Sequence, residues 1–453
     1  MTFPKDFVWG AATASYQIEG AVNADGRGDS VWDSYCRRPG AVWEKQSGEV
    51  ACDHYHRWRE DVDLMKQIGL TGYRFSIAWP RVMPEGAGQV NPKGLDFYSR
   101  LVDALLAAGV EPWPTLFHWD YPQALFDRGG WLSPDSPQWF ADYTAAVVDK
   151  LSDRVSHWFT LNEPQCFILF GHRDGIQAPG LKLSRREVLR AAHHSMLAHG
   201  RAVQVIRQRS AQPAQVGIAH VGWSFIPATD SEADIAAARD MTFSTVETQR
   251  LDNAWWMDPV YLGRYPEQAL QFYGADAPKV RDGDMETICQ PLDVQAFNTY
   301  EGQLVRAGAD GRPEVIPQPT GVARAHMGGP VTPDSLYWNA KFFHERYGLP
   351  IVVSENGTSN TDWVMTDGRC RDPQRIDLLR RYLRAFERAG DEGVPIRGYF
   401  QWSLMDNFEW GHGFKFRFGL IHVDYVTQQR TLKDSALWYR DVIASNGAKI
   451  RDD

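Results

Sequence analysis

Two glutamates stand at the ends of strand-like runs in this sequence. Glu163 ends the run "HWFTLNE", and Glu355 comes near the end of the run "PIVVSEN". A protonated carboxyl group can donate a proton, and an ionised one can act as a nucleophile or base, so a pair with different pKa values can divide these tasks. Each glutamate could instead form a structural ion pair with an arginine. The fold must decide whether the two side chains meet.

Further polar and aromatic residues stand at the ends of the other strand-like runs. Amides and carboxylates can hydrogen-bond hydroxyl groups, and flat aromatic rings can stack on the C–H faces of sugar rings. The chain has 18 tryptophans, and Trp79, Trp119, Trp402 and Trp410 lie beside predicted strand ends. A single buried tryptophan is more often a core residue, so only the joint placement favours a sugar site. The other residues at or just after run ends are Gln17, His118, Asn162, Tyr300 and Glu409.

Eight short β-branched or aromatic runs alternate with helix-period stretches along the chain. The runs are "FVWGAATASYQ", "GYRFSIAW", "EPWPTLFHW", "HWFTLNE", "QVGIAHV", "VQAFNTY", "PIVVSEN" and "RGYFQWSL". Residues 91–109 and 372–390 are typical of helices, since each begins with a polar residue and proline and ends on glycine. No linker or low-complexity tract interrupts the pattern. The sequence therefore predicts an α/β fold in which residues 1–453 form a single (β/α)8 barrel domain.

Active-site residues in such a barrel lie at the carboxyl ends of the strands. The barrel would bring Glu163, after the fourth strand, and Glu355, on the seventh, to opposite sides of one bowl. Cleavage of a glycosidic bond needs this arrangement: one carboxylic acid protonates the leaving oxygen while a second carboxylate attacks the anomeric carbon or activates water. The surrounding aromatic and amide residues make the purely structural interpretation of the pair much weaker.

Composition excludes several other classes of protein. The hydrophobic fraction of 43% and charged fraction of 23% are those of a globular protein, and the net charge of -9 offers no basic face for nucleic acid. No window is apolar enough to cross a membrane, and the start of the chain lacks the pattern of a signal peptide, which predicts a cytoplasmic protein. The five cysteines are scattered and odd in number, which predicts no disulfide framework. Two histidine pairs lack the spacing of metal ligands, so no metal site is predicted, and the common cofactor motifs are absent.

Over essentially its full length, the sequence resembles the glycoside hydrolase family 1 β-glycosidases. The resemblance is carried by an ordered set of motifs, namely "FPKDFVWGAATASYQIEG", "YRFSIAWPR", "HWDYPQAL", "TLNEP", "SENGT", "WSLMDNFEWGHGF" and "RFGLIHVDY". It implies a retaining exo-β-glycosidase that removes terminal non-reducing β-D-glucosyl residues, and that also cleaves β-galactosides or β-fucosides, through a covalent glycosyl-enzyme. It also implies that no cofactor is needed and that the partners are small β-glycosides or short β-linked oligosaccharides. A homo-oligomer is compatible with the sequence.

The resemblance also assigns roles to individual residues. Glu163 in "TLNEP" matches the acid/base and Glu355 in "SENG" the nucleophile. Arg74 and Tyr300 would hold Glu355 ionised and oriented. The implied sugar-binding residues are Gln17, His118, Trp119, Asn162, Asn298, Trp402, Glu409, Trp410 and Phe418.

Three positions depart from the family's usual pattern. Thr299 replaces a frequent tyrosine, Gln177 a histidine, and Val221 an asparagine, and the last two bear on the leaving-group side of specificity. Members that act on phosphorylated sugars usually have serine at the position of Glu409. A carboxylate there would repel a sugar phosphate by a few kcal/mol when partly desolvated, which favours unphosphorylated sugars.

Two alternatives remain open at this stage. The same barrel and carboxyl pair could serve transglycosylation, in which a sugar or alcohol replaces water as the acceptor. A relative that binds sugar without turnover is the other, although both Glu163 and Glu355 are intact.

Overall fold

Eight parallel strands form a closed barrel in the computed structural model, which describes residues 3–245 and 252–452. The prediction of a (β/α)8 barrel is therefore confirmed, while the assignment of residues 1–453 to one domain stays a prediction. The strands are β1 Val8–Ala12, β2 Gly72–Ser76, β3 Glu111–Phe117, β4 His157–Asn162, β5 Gln215–Val221, β6 Gln295–Asn298, β7 Ile351–Asn356 and β8 Ile396–Trp402.

Each strand pairs in parallel with its sequence neighbours, and β1 closes the barrel by pairing with β8. The register between β6 and β7 shifts next to Glu355, which pairs with Asn298. Another shift, between β4 and β5, lies beside Asn162. Irregularities of this kind redirect side chains and often occur next to active sites. Here they lie beside both of the predicted catalytic strand ends.

Helices connect successive strands and cover the outside of the barrel. Those after β1 to β4 and β6 to β8 are His54–Ile68, Pro92–Ala107, Ser136–Leu151, Arg185–Arg209, Asp334–Tyr347, Pro373–Asp391 and Asp434–Ala444. Between β5 and β6 lie Glu232–Phe243, Asn253–Leu262, Glu267–Tyr273 and Asp284–Ile288. Shorter helices are Ser15–Ile18, Val31–Cys36, Trp79–Val82, Gln123–Phe126 and Pro164–Ile168. In the described ranges, no helix has the length and apolar character needed to span a bilayer.

The loops after the strands contain structure that the sequence pattern did not reveal. Strands Ser224–Pro227, Gly302–Ala307 and Pro313–Ile316 form a small separate sheet, and Ile421–Val423 pairs with Arg430–Leu432. The first predicted run, residues 7–17, is also too long. The strand ends at Ala12, and Gln17 lies on helix Ser15–Ile18 instead.

Aromatic side chains fill the lower part of the barrel interior. Trp113, Phe159 and Phe400 are buried together there. The centroid of the Trp113 ring lies 5.8 Å from that of Phe159 and 5.3 Å from that of Phe400. Gly10 makes room for this packing, because a Cβ atom there would lie only 2.3 Å from Phe400. The guanidinium carbon of Arg74 lies 5.5 Å from the centre of the Phe159 ring, so the apolar layer ends directly below the polar site.

A buried ionic cluster anchors the loop after β8, which carries Glu409. The Lys433 ammonium lies 2.5 Å from Asp362 and 2.7 Å from Asp406, and all three side chains are almost fully buried. Asp406 also accepts hydrogen bonds from Arg417 and from the backbone N–H of Gly419. The cluster thus ties residues from three segments to one another behind the site.

We expect Lys433→Met to lower the free energy of unfolding by about 2–3 kcal/mol, because two buried carboxylates lose their shared cation. Each keeps a single arginine, Arg375 for Asp362 and Arg417 for Asp406. Chemical denaturation measures this loss. The matched control is Lys449→Met, which breaks an exposed ion pair of 2.9 Å with Asp452 and should cost less than about 1 kcal/mol. Equal effects of the two substitutions would contradict a structural role for the buried cluster.

Candidate active site

A pocket of about 570 Å³ opens at the carboxyl ends of the barrel strands. Ten of the predicted site residues line it: His118, Trp119, Glu163, Asn298, Tyr300, Glu355, Trp402, Glu409, Trp410 and Phe418. The other three, Gln17, Arg74 and Asn162, are buried beside the pocket and hydrogen-bond to residues that line it. The volume is within the usual range for small-molecule sites.

Glu355 is held by two partners that favour its ionised form. Arg74 Nη1 lies 2.6 Å from Glu355 Oε1, and the Tyr300 hydroxyl donates to Oε2 at 2.7 Å. Burial raises the pKa of Glu355 above its ordinary value, while the Arg74 charge and these hydrogen bonds oppose that rise. Both oxygens are fixed, so the carboxylate has one orientation in the pocket.

Glu163 has a different environment, in which burial favours the protonated form. Burial and the negative charge of Glu355 raise the pKa of Glu163 to about 7, partly opposed by a hydrogen bond from Asn298. Asn298 Nδ2 donates to Glu163 Oε1 at 2.9 Å. The two carboxyl groups therefore share a pocket but differ in their stabilising contacts, which is the condition for assigning them separate proton states.

Three residues of the pocket have left-handed backbone conformations that non-glycine residues rarely adopt. The φ angles are +46° at Glu163, +78° at Trp119 and +52° at Trp410. Such conformations cost of order 1 kcal/mol each and persist where surrounding contacts enforce them. At Glu163 the turn directly follows β4, and its backbone N–H donates to the carbonyl of Ala219 on β5 at 2.7 Å.

A hydrogen-bond network under the pocket leaves one donor free for a ligand. Asn162 Oδ1 accepts from Arg74 at 2.6 Å and from Asn298 at 3.0 Å, and its amide nitrogen donates to His118 Nε2 at 3.0 Å. Because Nε2 accepts, the neutral ring carries its proton on Nδ1, which is buried and has no protein partner. Burial lowers the pKa of His118 well below its ordinary value, so the ring is neutral. A substrate hydroxyl would satisfy this donor.

Aromatic rings form one wall of the pocket. The ring centroids of Trp402 and His118 lie 5.8 Å apart, with an angle of 22° between the ring planes. The ring centroids of Trp410 and Trp119 lie 4.7 Å apart. Trp32 supports Trp410 from behind at 4.6 Å. The Trp119 indole N–H donates to the carbonyl of Asn162. These contacts fix the planes of rings on which a sugar could stack.

Glu409 and Gln17 form the second polar group of the pocket. The Gln17 amide donates to Asn407 at 3.0 Å, to the Phe408 carbonyl at 2.8 Å and weakly to Glu409 at 3.5 Å, which leaves its buried Oε1 without a partner. Burial, followed by the charges of Glu355 and Glu163, raises the pKa of Glu409 to about 8. The expected repulsion of phosphate by an ionised Glu409 is therefore weaker at pH 7 than the sequence suggested.

The raised pKa of Glu409 predicts a pH-dependent loss of stability. A carboxyl group whose folded pKa is about 8 instead of 4.5 stabilises the fold fully below pH 4.5, and this contribution is lost as the pH rises through 8. Glu409→Gln cannot ionise, so we expect its Tm relative to wild type to rise by about 2–4 °C between pH 5 and pH 9. Calorimetry across this range measures the shift, and the exposed Glu286→Gln serves as the control. A difference in Tm that does not vary with pH would contradict it.

The structure also places the residues that depart from the family pattern. Gln177, Val221 and Thr299 all line the pocket, and Gln177 Oε1 is buried without a hydrogen-bond partner. Thr299 instead donates to the carbonyl of Gly222 at 2.8 Å. The expectation that Trp79 faces the site is wrong. Its ring is buried in the layer between the strands and the outer helices, where it stacks on Tyr143 of helix Ser136–Leu151 with 5.0 Å between the ring centroids.

Several supporting residues were not identified from the sequence. Ser354 donates to Asn298 Oδ1 at 2.6 Å, and Thr115 accepts from Arg74 at 3.2 Å. Asn407 accepts from Gln17, and the thiol of Cys166 hydrogen-bonds Glu163. Ser354 and Asn407 lie within the motifs "SENGT" and "WSLMDNFEWGHGF", and Thr115 pairs with Ser76 of "YRFSIAWPR". Their hydrogen-bonding roles depend on side-chain directions that the motifs do not specify.

Comparison with known proteins agrees with this geometry. The model of glycosyl hydrolase family 1 matches residues 1–448. The chain is 43% identical to β-glucosidase A of Acetivibrio thermocellus, with 99% of each chain covered. It is 40% identical to a bifunctional β-D-glucosidase/β-D-fucosidase of Bifidobacterium breve over 99% of this chain and all of that one. A Thermotoga maritima β-glucosidase solved with glucoimidazole has a TM-score of 0.90 at 42% identity, covering 98% of this chain and 99% of the other.

Proposed function

The chain belongs to glycosyl hydrolase family 1, a family of retaining enzymes, and we propose that it removes terminal β-D-glucosyl residues with Glu355 as nucleophile and Glu163 as acid/base. The observation that carries the assignment is the unequal environment of the two carboxyl groups. Glu355 has an arginine and a tyrosine on its oxygens, whereas burial and the charge of Glu355 keep a proton on Glu163. Each group thus starts in the state its role requires.

In the first step, Glu355 attacks the anomeric carbon while Glu163 transfers its proton to the leaving oxygen. Burial and the Glu355 charge together raise the pKa of Glu163, and formation of the glycosyl ester removes that charge, so the pKa falls and Glu163 is ionised and able to accept a proton when water must be deprotonated. Water then attacks the anomeric carbon, and the bond to Glu355 breaks. Two inversions give net retention.

Recognition of the sugar follows from the unpartnered polar atoms around the carboxyl pair. His118 Nδ1 supplies a donor and Gln17 Oε1 an acceptor, and neutral Glu409 can donate as well as accept. Among the residues that the structure describes, Arg324 is the one lysine or arginine in the pocket lining, and it donates to the Gly328 carbonyl at 2.8 Å. A sugar phosphate would thus find no lysine and a single, already hydrogen-bonded arginine in this described lining to neutralise its charge, which supports an unphosphorylated substrate.

Initial rates on nitrophenyl β-glucoside, β-galactoside, β-fucoside and 6-phospho-β-glucoside test this assignment. We expect the unphosphorylated β-glucoside to be hydrolysed with retained configuration and the phosphorylated one at least about tenfold more slowly. A preference for the phosphorylated sugar would contradict the substrate assignment. Absence of turnover with all four, despite glucoside binding, would support the non-catalytic alternative. Cytoplasmic location and homo-oligomer formation stay predictions.

A further inference from the structure

A second groove lies on the outer wall of the barrel, separate from the pocket that contains Glu163 and Glu355. It is formed by the start of helix Ser136–Leu151, by helix Arg185–Arg209 and by residues 275–287. Its volume is about 750 Å³, and none of its lining residues belongs to the catalytic pocket. The volume is large enough for a nucleotide-sized ligand.

Positive charge is concentrated in this groove, although the chain as a whole has a net charge of -9. One carboxylate, Asp284, lines it. The five cationic side chains in its lining are Arg186, Arg190, Arg201, Lys279 and Arg281. A concave surface lined by one sign of charge concentrates ions of the opposite sign. The groove is therefore suited to an anion.

Two carboxylates at the groove, Asp284 in its lining and Asp276 beside it, already have partners. Asp284 Oδ2 lies 3.1 Å from His193 Nε2 and accepts from the backbone N–H of Arg281 at 2.7 Å. Asp276 lies 2.8 Å from Arg185 and 3.6 Å from Arg186. These pairs leave other cations of the groove without a carboxylate partner.

Three cationic side chains are available to a ligand. Within residues 3–245 and 252–452, the side chains of Arg190, Lys279 and Arg281 are exposed and form neither a hydrogen bond nor an ion pair. They come from two segments that the fold brings together, the helix Arg185–Arg209 and the stretch 275–287. Arginine forks can bind phosphate oxygens in pairs, and lysine adds a point charge.

Two histidines at the floor of the groove, His193 and His194, are held by hydrogen bonds. His193 Nδ1 is 2.8 Å from the Tyr265 hydroxyl, and His194 Nδ1 donates to the Trp131 carbonyl at 2.9 Å. Burial lowers the pKa of His194, and the nearby charges of Arg190 and Arg281 lower it further, so the ring is neutral at pH 7. Its Nε2 can then accept a hydrogen bond from a hydroxyl or amino group of a ligand.

Apolar residues line the remainder of the groove. Pro134, Pro137, Leu197, Ala277 and Pro278 form surfaces with no hydrogen-bonding side chain. Such surfaces suit the flat or apolar body of a ligand and would contribute little to binding of a bare inorganic ion. We propose that this groove binds a phosphorylated small molecule of nucleotide size, with its phosphates on Arg190, Lys279 and Arg281 and its ring against the apolar wall.

Calorimetric titration of the full chain with ATP, pyrophosphate and adenosine, without added metal, tests the proposal. We expect saturable binding of ATP, weaker binding of pyrophosphate at the same site, and a decrease in affinity for both as salt rises, because phosphate contacts are screened. No saturable binding of ATP at about 1 mM would overturn the proposal. Equal affinities for ATP and pyrophosphate would overturn the contribution of the apolar wall.

The double substitution Arg190→Glu and Arg281→Glu should weaken ATP binding by at least about tenfold, because it reverses two of the three free charges. The matched control, Arg100→Glu with Arg440→Glu, makes the same change in net charge at two exposed positions outside the groove. Hydrolysis of nitrophenyl β-glucoside confirms that both variants are folded. Unchanged ATP affinity in the groove variant, or an equal loss in the control, would overturn the location of the site.

Discussion

Substitution of Glu355 by alanine or glutamine should lower kcat on nitrophenyl β-glucoside by about 10⁴-fold or more, because no glycosyl ester can form without this carboxylate. The fold should tolerate the change. Arg74 keeps its hydrogen bonds to Asn162 Oδ1 at 2.6 Å and to the Ser354 carbonyl at 3.1 Å, so the buried guanidinium is not left without partners. Steady-state kinetics, with calorimetry to confirm folding, measure both effects.

The control for this prediction is Glu111→Gln. Glu111 is also a strand glutamate, but it begins β3 at the opposite end of the barrel and pairs with His157 at 3.1 Å. We expect wild-type turnover from this variant. If Glu355→Gln retained wild-type kcat, Glu355 would not be the nucleophile. If it bound glucoside normally without turnover, the assignment would be strengthened, since binding and chemistry would be separated.

Much of the barrel was predictable because its strands are marked in the sequence by two independent signals. Each run is β-branched or aromatic, and most are followed by a stretch with helical periodicity. Seven of the eight strands fall within the predicted runs, and β8 begins one residue before its run. Position at a strand end then indicated that Glu163 and Glu355 share one face, a consequence of parallel connectivity. The resemblance to a family added roles for Arg74 and Tyr300, whose contacts with Glu355 the structure shows.

Side-chain direction was the part that the sequence could not provide. Trp79 and Trp119 both follow strands, yet Trp79 packs against the helices and Trp119 lines the pocket. The difference depends on how the backbone turns after each strand, and the left-handed φ of +78° at Trp119 is not encoded by a glycine. The raised pKa of Glu409 likewise depends on its burial and on the nearby charges of Glu355 and Glu163, and the groove cations come from separate segments.

The proton on Glu163 should set the alkaline limit of activity. The pKa of this group is raised to about 7 in the free enzyme, so kcat/KM should fall as the pH rises through this value and the acid loses its proton. The acidic limb should report protonation of Glu355, although the two groups titrate as a coupled pair. A pH–rate profile of Glu163→Gln on an activated substrate should lack the alkaline limb. Persistence of that limb would assign it to another group.

Removal of the acid should also produce a loss of rate that depends on the leaving group. For Glu163→Ala, we expect kcat/KM on cellobiose to fall by about 10²–10⁴-fold, because its leaving alkoxide needs a proton. A dinitrophenyl glucoside, whose leaving group is stable as an anion, should lose much less in the glycosylation step. Single-turnover measurements are needed, since Glu163 also activates water in the second step and the glycosyl-enzyme should accumulate. An equal loss in the first step on both substrates would mean that Glu163 does not protonate the leaving group, and its contacts with Asn298 would then be structural.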